Sequence, residues 1–415
     1  MVTSSEEYVI TVKEGVNMEL YIQMGHGMQT LALDHLQAFG SGTFIISPLN
    51  IPYDKLRAFS KRLLRENGKL LFDPQMYYVR KYQKNLTKYP YWPQSDITNL
   101  ENGVCDEVVK SLSEINVAMG TEAFILPSQT VSQIDKRWNA VQESIIESAK
   151  KYSNGQSLMH TIALSSDVLS DETAAENIIS YVSHWDVESV YIVCEHPGRF
   201  YLIDKPLWIS NLLSLVTGIK RQGKKVIVGY ASQQMLCLAL AKCDAIASGN
   251  FLNVRWFQPN HFETIMSDEI SRRAVWYYCP QALSEFKIPF LDIAKRMSLL
   301  EHMQPAPDMM NENCDMLFSS ALPSATGYSE KNAHRHYLYC LRKQCESAVK
   351  TTYDETMFSQ QIVLETADKL LSGLREKGIR GQDRDFGEVI DVNRAALAAH
   401  TMNYQYVLQH EWNNL

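Results

Sequence analysis

The chain has 415 residues, of which 45% are hydrophobic and 21% are charged, so it can bury a large core and is not a disordered chain. Its net charge of −7 argues against a broad nucleic-acid-binding surface, although it allows a local basic groove. The N-terminus lacks the pattern of a signal peptide, no stretch is long enough to cross a bilayer, and the eight scattered cysteines indicate free thiols, so we expect a cytoplasmic protein without membrane contact.

Short runs of β-branched and aromatic residues alternate along the chain with helical patterns. Several of the runs, such as TFIIS and VYIVC, are apolar throughout, as expected for strands that are covered on both faces. The alternation is typical of βα units, and eight such units close a barrel. We therefore predict an α/β protein with a (β/α)8 TIM barrel. The predicted strands are residues 19–24, 43–47, 69–73, 123–126, 159–164, 190–194, 224–229 and 244–248.

Two later regions depart from this alternation. Residues 78–99 contain YPYWPQ and are too rich in Pro and Tyr for a helix, so we predict a long loop at the barrel mouth. From about Ser329 the pattern is helical, and Gly378 marks a helix end. We therefore divide the chain into a barrel with an N-terminal strand, residues 1–300, and a helical C-terminal extension that packs on the barrel, residues 301–415.

Active sites of such barrels lie at the carboxyl ends of the strands, so polar residues that end the runs are candidates. Asp73 ends the third run. It is either a general base or an acceptor of a substrate hydrogen bond, or it is a structural carboxylate that caps the next loop. Glu195 and His196 follow the sixth run and can exchange protons near neutral pH. Because neighbouring residues of a strand point in opposite directions, both face the mouth only if the chain turns at Pro197 and Gly198; a salt-bridged loop pair is the alternative.

Other polar residues at the strand ends are candidates for substrate binding. His26 lies between two glycines, where backbone amides are free to bind an anion. Arg255 either binds a phosphate or carboxylate through two nitrogens or forms a salt bridge to a neighbouring loop. The remaining candidates are Asn50, Gln129, Ser165, Asp167, Tyr230 and Asn250.

The common motifs for a metal, a nucleotide or a cofactor are missing from the sequence, which has no HExxH, no Walker loop and no GxGxxG. His336 and Cys340 share a helix face, and together with Cys314 and Cys345 they offer one alternative, a zinc site. Because the sequence has no CxxC pair, we favour core cysteines and predict neither a metal nor a cofactor.

The strand order and loop lengths resemble those of the tRNA-guanine transglycosylase superfamily, whose barrel exchanges a base through a glycosyl-enzyme intermediate. The opening YIQMGHGMQTLALDHLQAFGSGTFIISP is similar to that family's first two strands, and LLFDPQMY falls where the family carries DSGGF, at whose first position Asp73 lies. LPSQTVSQIDKRWNAVQESIIESAKKY resembles the fourth strand and its long helix, and SEKNAHRHYLYCLRKQC resembles the helix after the zinc loop. The resemblance implies a nucleobase or nucleoside substrate, free or within DNA or RNA.

The chain also departs from that family's motifs. Ala247 falls where the nucleophilic aspartate is expected, residues 164–166 read LSS in place of QGG, and the CxCxxC zinc loop is absent. Three hypotheses follow: a divergent transglycosylase-like enzyme that uses Asp73, a non-catalytic barrel subunit of another enzyme, and an unrelated barrel hydrolase or lyase that uses Asp73 with Glu195 and His196. The fold alone does not choose between them, and each is compatible with a homodimer or a partner protein.

Overall fold

A computed structural model of the chain describes residues 17–80, 83, 85–93, 100, 103–263 and 274–415. The strands of its large sheet are β1 (Glu19–Gln23), β2 (Gly42–Ile46), β3 (Gly68–Phe72), β4 (Phe124–Ile125), β5 (Leu158–Leu164), β6 (Ser189–Cys194), β7 (Lys225–Val228) and β8 (Ala245–Ser248). They are parallel, in the order β3-β2-β1-β8-β7-β6-β5-β4. Beside the two edge strands, Glu122 N donates to Leu70 O at 2.9 Å, so the edges meet and the sheet is a nearly closed barrel.

This architecture confirms the predicted (β/α)8 TIM barrel. Each predicted strand matches its observed counterpart to within one residue at either end. The agreement arises because these strands are buried on both faces, which makes their runs apolar and their ends abrupt.

Strand side chains alternate between the barrel lumen and the surrounding helices. Ile45 and Tyr191 belong to a cluster inside the barrel, whereas their neighbours Phe44 and Ile192 belong to a larger cluster under the helices. Because successive residues of a strand point to opposite faces, every second residue reaches the lumen. This register decides which polar residues at the strand ends can form a site.

Six helices follow the first six strands around the barrel: α1 (Gln29–Phe39), α2 (Tyr53–Arg65), α3 (Gly103–Met119), α4 (Lys136–Tyr152), α5 (Glu172–Val182) and α6 (Pro206–Lys220). Side-chain caps start two of them. Asp135 accepts from Trp138 N at 2.8 Å at the start of α4, and Asp171 accepts from Thr173 N at 2.9 Å at the start of α5. Between β7 and β8 a 3-10 helix over Gln233–Ala241 takes the place of an α-helix.

The chain after β8 contains a hairpin that the sequence pattern did not predict. Its strands, β9 (Trp276–Cys279) and β10 (Ser284–Lys287), are antiparallel and pair with each other. The helices of this region are α7 (Asn260–Glu263), α8 (Ile288–Arg296), α9 (Glu330–Ala348), α10 (Tyr353–Glu376) and α11 (Ile390–Glu411).

The long C-terminal helices pack on the barrel. α9 contacts β1 and α1, so it covers the barrel wall beside the first strand, and α11 contacts α6. α10 ends just before Gly378, whose φ of +77° fits the helix end predicted there. The boundary between residues 300 and 301 stays a prediction.

The predicted mouth loop, residues 78–99, lies partly outside the described residues. Within its described part, Leu86–Lys88 form a 3-10 helix, and the Tyr91 hydroxyl donates to Pro74 O at 2.8 Å. The Tyr89 hydroxyl donates to Ile51 O at 2.6 Å. This segment therefore packs against the residues that follow β2 and β3.

None of the helices in the described parts of the chain has the length and hydropathy that crossing a bilayer requires. The cytoplasmic location stays a prediction.

Candidate active site at the carboxyl end of the barrel

Asp73 lies where β3 ends and faces the barrel lumen. Its backbone N–H donates to Ile46 O at 3.1 Å, which continues the pairing of β3 with β2 for one residue. Its side chain is 1% exposed. Asp73 thus places a carboxyl group inside the end of the barrel at which active sites of this fold are found.

Four groups from three regions donate hydrogen bonds to this carboxyl. Gln75 N donates to Oδ1 at 2.9 Å, and the Tyr77 hydroxyl lies 2.9 Å from Oδ2. The Tyr230 hydroxyl, after β7, donates to Oδ2 at 3.1 Å, and Gln23 Nε2, at the end of β1, does so at 3.4 Å. All four donors are uncharged, so the described residues supply hydrogen bonds to Asp73 but no counter-charge.

Burial controls the ionisation of this cluster. It raises the pKa of Asp73 from 3.8 to about 6, while the hydrogen bonds from Gln75, Tyr77, Tyr230 and Gln23 act in the opposite direction. Burial, together with the nearby Asp73 carboxyl, also raises the pKa of Tyr77, Tyr191 and Tyr230 well above 10. The tyrosines therefore remain neutral donors at physiological pH.

A second layer of contacts fixes these donors. The Tyr191 hydroxyl donates to Gln23 Oε1 at 3.0 Å, and Gln75 Nε2 donates to the Tyr230 hydroxyl at 2.8 Å. Gln75 and Tyr230 both have a φ of +51°, a strained conformation for residues other than glycine. At Gly229 an added Cβ would lie 2.4 Å from the Tyr191 hydroxyl, so this strand end has room only for glycine.

Aromatic rings cover the carboxyl on the mouth side. Phe257 lies 5.0 Å from the Tyr77 ring and 5.5 Å from the Tyr230 ring, and Phe262 lies 5.2 Å from Tyr77, measured between ring centroids. All four residues are at most 3% exposed. Gln83 Nε2 donates to Phe262 O and so joins the loop after β3 to the loop after β8.

The structure separates the predicted pair Glu195 and His196. Glu195 continues the inward register of Tyr191, and its Oε2 accepts from Ser166 N at 3.1 Å. The His196 ring is buried on the opposite side, 5.8 Å from Trp208 of α6, and burial lowers its pKa to about 4. Glu195 therefore lies on the side of the mouth, and His196 lies behind the strand.

Three predicted binding residues lie beside one another near β1. Asn250 Nδ2 donates to His26 O at 3.2 Å, and Asn50 Nδ2 donates to Met24 O at 3.4 Å. The His26 side chain is exposed. An added Cβ at Gly25 would lie 2.6 Å from Asn250 Oδ1, so the loop after β1 closely approaches the loop after β8.

Two further candidates follow β5. Ser165 Oγ is buried without a hydrogen-bond partner among the described residues, and Asp167 is exposed. Their role in substrate binding stays a prediction.

Gln129 lines a pocket of about 370 Å³ between the loop after β4 and the start of α4. Thr130, Gln133 and Trp138 also line it. Thr130 N donates to Tyr77 O at 3.1 Å, which connects the pocket wall to the residue that binds Asp73. The pocket thus lies next to the aromatic cover.

Arg255 is engaged in protein contacts. Its guanidinium donates to Glu285 Oε1 at 3.0 Å and to Asn250 O at 2.7 Å, and it stacks on the Tyr337 ring at 3.4 Å. Of the two roles that the sequence left open, this geometry matches the salt bridge to a neighbouring segment.

The zinc alternative finds no support among the described residues, where no group of three or more His, Cys, Asp or Glu side chains could hold a metal ion. His336 uses both ring nitrogens within the protein, since Nδ1 lies 2.9 Å from Asn311 Nδ2 and Nε2 lies 2.8 Å from Tyr278 O. Cys314, Cys340 and Cys345 are buried free thiols, as are the other five cysteines.

Several residues of this site, among them Gln23, Tyr77 and Tyr191, were not predicted from the sequence. Tyr191 lies in the middle of a strand, and Gln23 lies one residue before the end of its predicted run. The inward register shared by Gln23 and Asp73 was the signal that could have found Gln23. Tyr77 follows the strand in a loop, and the sequence does not indicate that it folds back onto Asp73.

No family model matches the chain, and no curated protein is similar to it. Among solved structures, it is similar to a protein assigned as an α-L-fucosidase from Bacteroides thetaiotaomicron, with 12% identity, a TM-score of 0.38, and coverage of 62% of this chain and 93% of that one. An intracellular xylanase from Thermoanaerobacterium saccharolyticum has 8% identity, a TM-score of 0.37, and coverage of 58% and 86%. A thermostable xylanase mutant from Cellvibrio japonicus has 7% identity, a TM-score of 0.36 and the same coverage.

These findings contradict the resemblance to tRNA-guanine transglycosylases, which is wrong. The similar structures are of a fucosidase type and of xylanases. Strand order and loop lengths are shared by unrelated barrels, so layout alone misled the comparison. The fold assignment itself rests on the sheet topology.

Proposed function

We propose that the chain is a barrel hydrolase or lyase in which Asp73 transfers a proton to or from a small-molecule substrate. One observation carries this proposal: a fully buried carboxyl at the carboxyl end of the barrel is surrounded by neutral donors and has no counter-charge among the described residues. Buried carboxylates that only stabilise a fold are usually paired with a cation.

The ionisation of Asp73 suits proton transfer. A group with a pKa of about 6 is present in both protonation states near neutral pH, so it can accept a proton in one step and return it in another. Glu195, on the same side of the mouth, is the candidate for a second acid–base group. His196 has no part in this proposal because it lies behind the strand.

The tyrosine hydroxyls add hydrogen-bond donors to the proposed mechanism. Tyr77 and Tyr230 are neutral donors that contact the same carboxyl. Once a substrate oxygen takes the place of Asp73 as their acceptor, they can stabilise negative charge that develops on it. A base beside such donors favours reactions that remove a proton while charge builds up on a neighbouring oxygen.

Substrate access requires a change at the aromatic cover. Because Tyr77, Phe257 and Phe262 enclose Asp73, a substrate must displace at least one of these rings. The pocket lined by Gln129 adjoins Tyr77 through Thr130 and is the proposed route of entry. Its size of about 370 Å³ suits a small molecule.

The test is turnover of a panel of small esters, amides, glycosides and hydroxy acids by the wild type and by Asp73→Asn. We expect kcat/KM to fall by a factor of about 10² to 10⁴ in the variant, and we expect the wild-type rate to change with pH around 6. Asp315→Asn, at an exposed position far along the chain, is the control and should retain full activity. Equal activity of wild type and Asp73→Asn would exclude the proposed role.

A second candidate function, a non-catalytic subunit of another enzyme, is favoured by the closed state of the site. Asp73 is already saturated with hydrogen bonds under an aromatic cover, as a structural group would be. If the wild type turns over no member of the panel and Asp73→Asn retains both its fold and its biological activity, this candidate replaces the first.

A further inference from the structure

The two oxygens of the Asp73 carboxyl receive different sets of donors. Oδ1 accepts from Gln75 N at 2.9 Å, whereas Oδ2 accepts from the Tyr230 hydroxyl at 3.1 Å and from Gln23 Nε2 at 3.4 Å. The Tyr77 hydroxyl is close to both, 3.0 Å from Oδ1 and 2.9 Å from Oδ2. A protonated carboxyl has an O–H of its own and needs an acceptor, which an N–H group cannot be. Only the two tyrosine hydroxyls can therefore accept this proton in a hydrogen bond.

Gln75 fixes the direction of the Tyr230 proton. The backbone N–H of Leu49 donates to Gln75 Oε1 at 3.0 Å, so the oxygen of this amide is turned toward Leu49. The NH2 group of the amide therefore faces Tyr230, and Nε2 donates to the Tyr230 oxygen at 2.8 Å. Because a tyrosine hydroxyl has one proton and Nε2 can only donate, the Tyr230 proton is directed at Asp73 Oδ2. Tyr230 is thus a donor to Asp73 in either ionisation state of the carboxyl.

The Tyr77 hydroxyl is not fixed in this way, because no N–H group among the described residues donates to its oxygen. Burial raises the pKa of Tyr191 and of Tyr230 well above 10, and at both a hydrogen bond with Tyr77 opposes burial. The oxygens of these two hydroxyls are therefore within reach of Tyr77. Tyr191 donates its own proton to Gln23 Oε1 at 3.0 Å, which leaves its oxygen able to accept. Tyr77 can thus turn its proton from Asp73 to Tyr191 and offer its oxygen to the carboxyl.

We propose that Tyr77 is a reversible hydroxyl, which donates to the Asp73 carboxylate and accepts from the protonated carboxyl, whereas Tyr230 donates in both states. On protonation, the new O–H forms on Oδ1, the oxygen with one fixed donor, and points to the Tyr77 oxygen. The Tyr77 proton then turns to Tyr191. Every tyrosine keeps its own proton, so the step rotates hydroxyl groups and needs no ionised tyrosine. The inference rests on the role proposed for Asp73 and names the group that lets its carboxyl exchange a proton while the other donors stay in place.

The titratable side chains around Asp73 in the described part of the chain are four buried tyrosines, Tyr77, Tyr91, Tyr191 and Tyr230. Burial is the largest of the effects that raise the pKa of each well above 10, so none of them ionises between pH 4 and pH 8. A change in tyrosine hydrogen bonding at this site within that range therefore reports on the ionisation of Asp73.

The first test is the infrared difference spectrum of the full chain between pH 4 and pH 8, with isotope-labelled tyrosine to identify the tyrosine bands. The C–O band of a tyrosine differs in position between a hydroxyl that only donates and one that also accepts. We expect this band to change in the wild type and in Tyr230→Phe, and the change to be lost in Tyr77→Phe and in Asp73→Asn. A wild type without the change, or a change that is lost in Tyr230→Phe and kept in Tyr77→Phe, would overturn the proposal.

The second test compares the pKa of Asp73 in two variants, from the titration of its protonated carboxyl band. Tyr230→Phe removes a donor, which stabilises the anion more than the acid, so it should raise this pKa by about 1. Tyr77→Phe removes a donor from the anion and also the acceptor of the acid, so the two losses partly cancel. We expect less than half the rise, although the Tyr77 contact is the shorter one.

Tyr201→Phe, whose hydroxyl bonds to Gln233, is the matched control and should leave both readouts unchanged. A rise in Tyr77→Phe that equals or exceeds the rise in Tyr230→Phe would show that Tyr77 is a fixed donor. Neither test needs a substrate. A chain that turns over none of the compounds in the panel can still satisfy both tests, so this inference and the proposed function fail separately.

Discussion

Asp73 and Glu285 are both buried acids, at 1% and 3% exposure, but their surroundings differ in charge. Glu285 accepts from Arg255 at 3.0 Å and from Arg384 at 2.9 Å. Burial would raise its pKa, but Arg384 and Arg255 outweigh burial and hold the pKa below its ordinary value. Asp73 has only neutral donors, and burial raises its pKa to about 6. The two acids are thus equally buried, but their pKa values shift in opposite directions. The charge of the neighbouring groups decides the direction of the shift.

The two acids also differ in what they connect. Glu285 lies on β10 and joins the hairpin to Arg255, after β8, and to Arg384, after α10. Asp73 joins strand ends within the barrel lumen. The paired acid therefore holds segments of the chain together through ion pairs, whereas Asp73 holds strand ends together through hydrogen bonds from neutral donors.

Glu285→Gln should have the largest effect on stability. The change leaves the buried Arg255 guanidinium and the partly buried Arg384 guanidinium beside a neutral amide, which should lower the free energy of unfolding by about 3–5 kcal/mol. Urea denaturation measures this loss. Asp368→Asn is the control, because its pair with Arg394 is about 40% exposed and should contribute little. Similar losses in both variants would remove the distinction between a buried and a surface pair.

Asp73→Asn should show a pH-dependent effect. Because the folded-state pKa of Asp73 is raised, the stabilisation by its neutral form is fully present below about 3.8 and is lost as pH rises through about 6. Asn does not ionise, so the free energy of unfolding of the variant should gain about 2 kcal/mol relative to the wild type between pH 4 and pH 7. Urea denaturation at both pH values tests this prediction. If the difference in free energy of unfolding between variant and wild type is the same at both, the pKa of Asp73 is not raised.

Gly229→Ala should damage the support of Asp73 from a distance. The new methyl group would lie 2.4 Å from the Tyr191 hydroxyl, so Tyr191 must move away from Gln23, at a cost of about 1–3 kcal/mol. Gly373→Ala in α10 is the matched control: it meets open space and should stabilise the helix by up to ~1 kcal/mol. Thermal unfolding of both variants checks the opposite signs.

Tyr230→Phe should have the smallest effect, which is a change in the pKa of Asp73. The Tyr230 hydroxyl lowers the pKa of Asp73, so its removal should raise that pKa above 6 by about 1. Infrared detection of the protonated carboxyl band across a pH series measures it. Tyr201→Phe, which loses a hydroxyl bound to Gln233, should leave the band unchanged. An equal change in both variants would point to a general effect of losing a buried hydroxyl.

The barrel could be predicted from the sequence because its strands are short, buried on both faces and separated by helices. The hairpin of β9 and β10 could not, since WYYC and SEFK pair only with each other and their alternation is brief. Asp73 was chosen as a candidate because a carboxylate ends an apolar strand, and its role stays a prediction.

The neighbours of Asp73 show where sequence reasoning stopped. Tyr230 was chosen as a residue after a strand, but its hydrogen bond to Asp73 depends on a φ of +51° that an aromatic residue rarely adopts. Arg255 was left with two roles because its partner Glu285 is 30 residues further along the chain. Long-range pairings of this kind require the fold to be known.

The meeting of β3 and β4 has a consequence for local opening of the fold. β4 has two residues, and the backbone hydrogen bond described beside this junction joins Glu122 to Leu70. β5 and β6, in contrast, are in register over six residue pairs. The amide hydrogen of Glu122, which bonds across this junction, should therefore exchange with deuterium sooner than those bonded between β5 and β6, because a shorter ladder opens at a lower free energy. We therefore expect the barrel to open first between β3 and β4, beside Asp73.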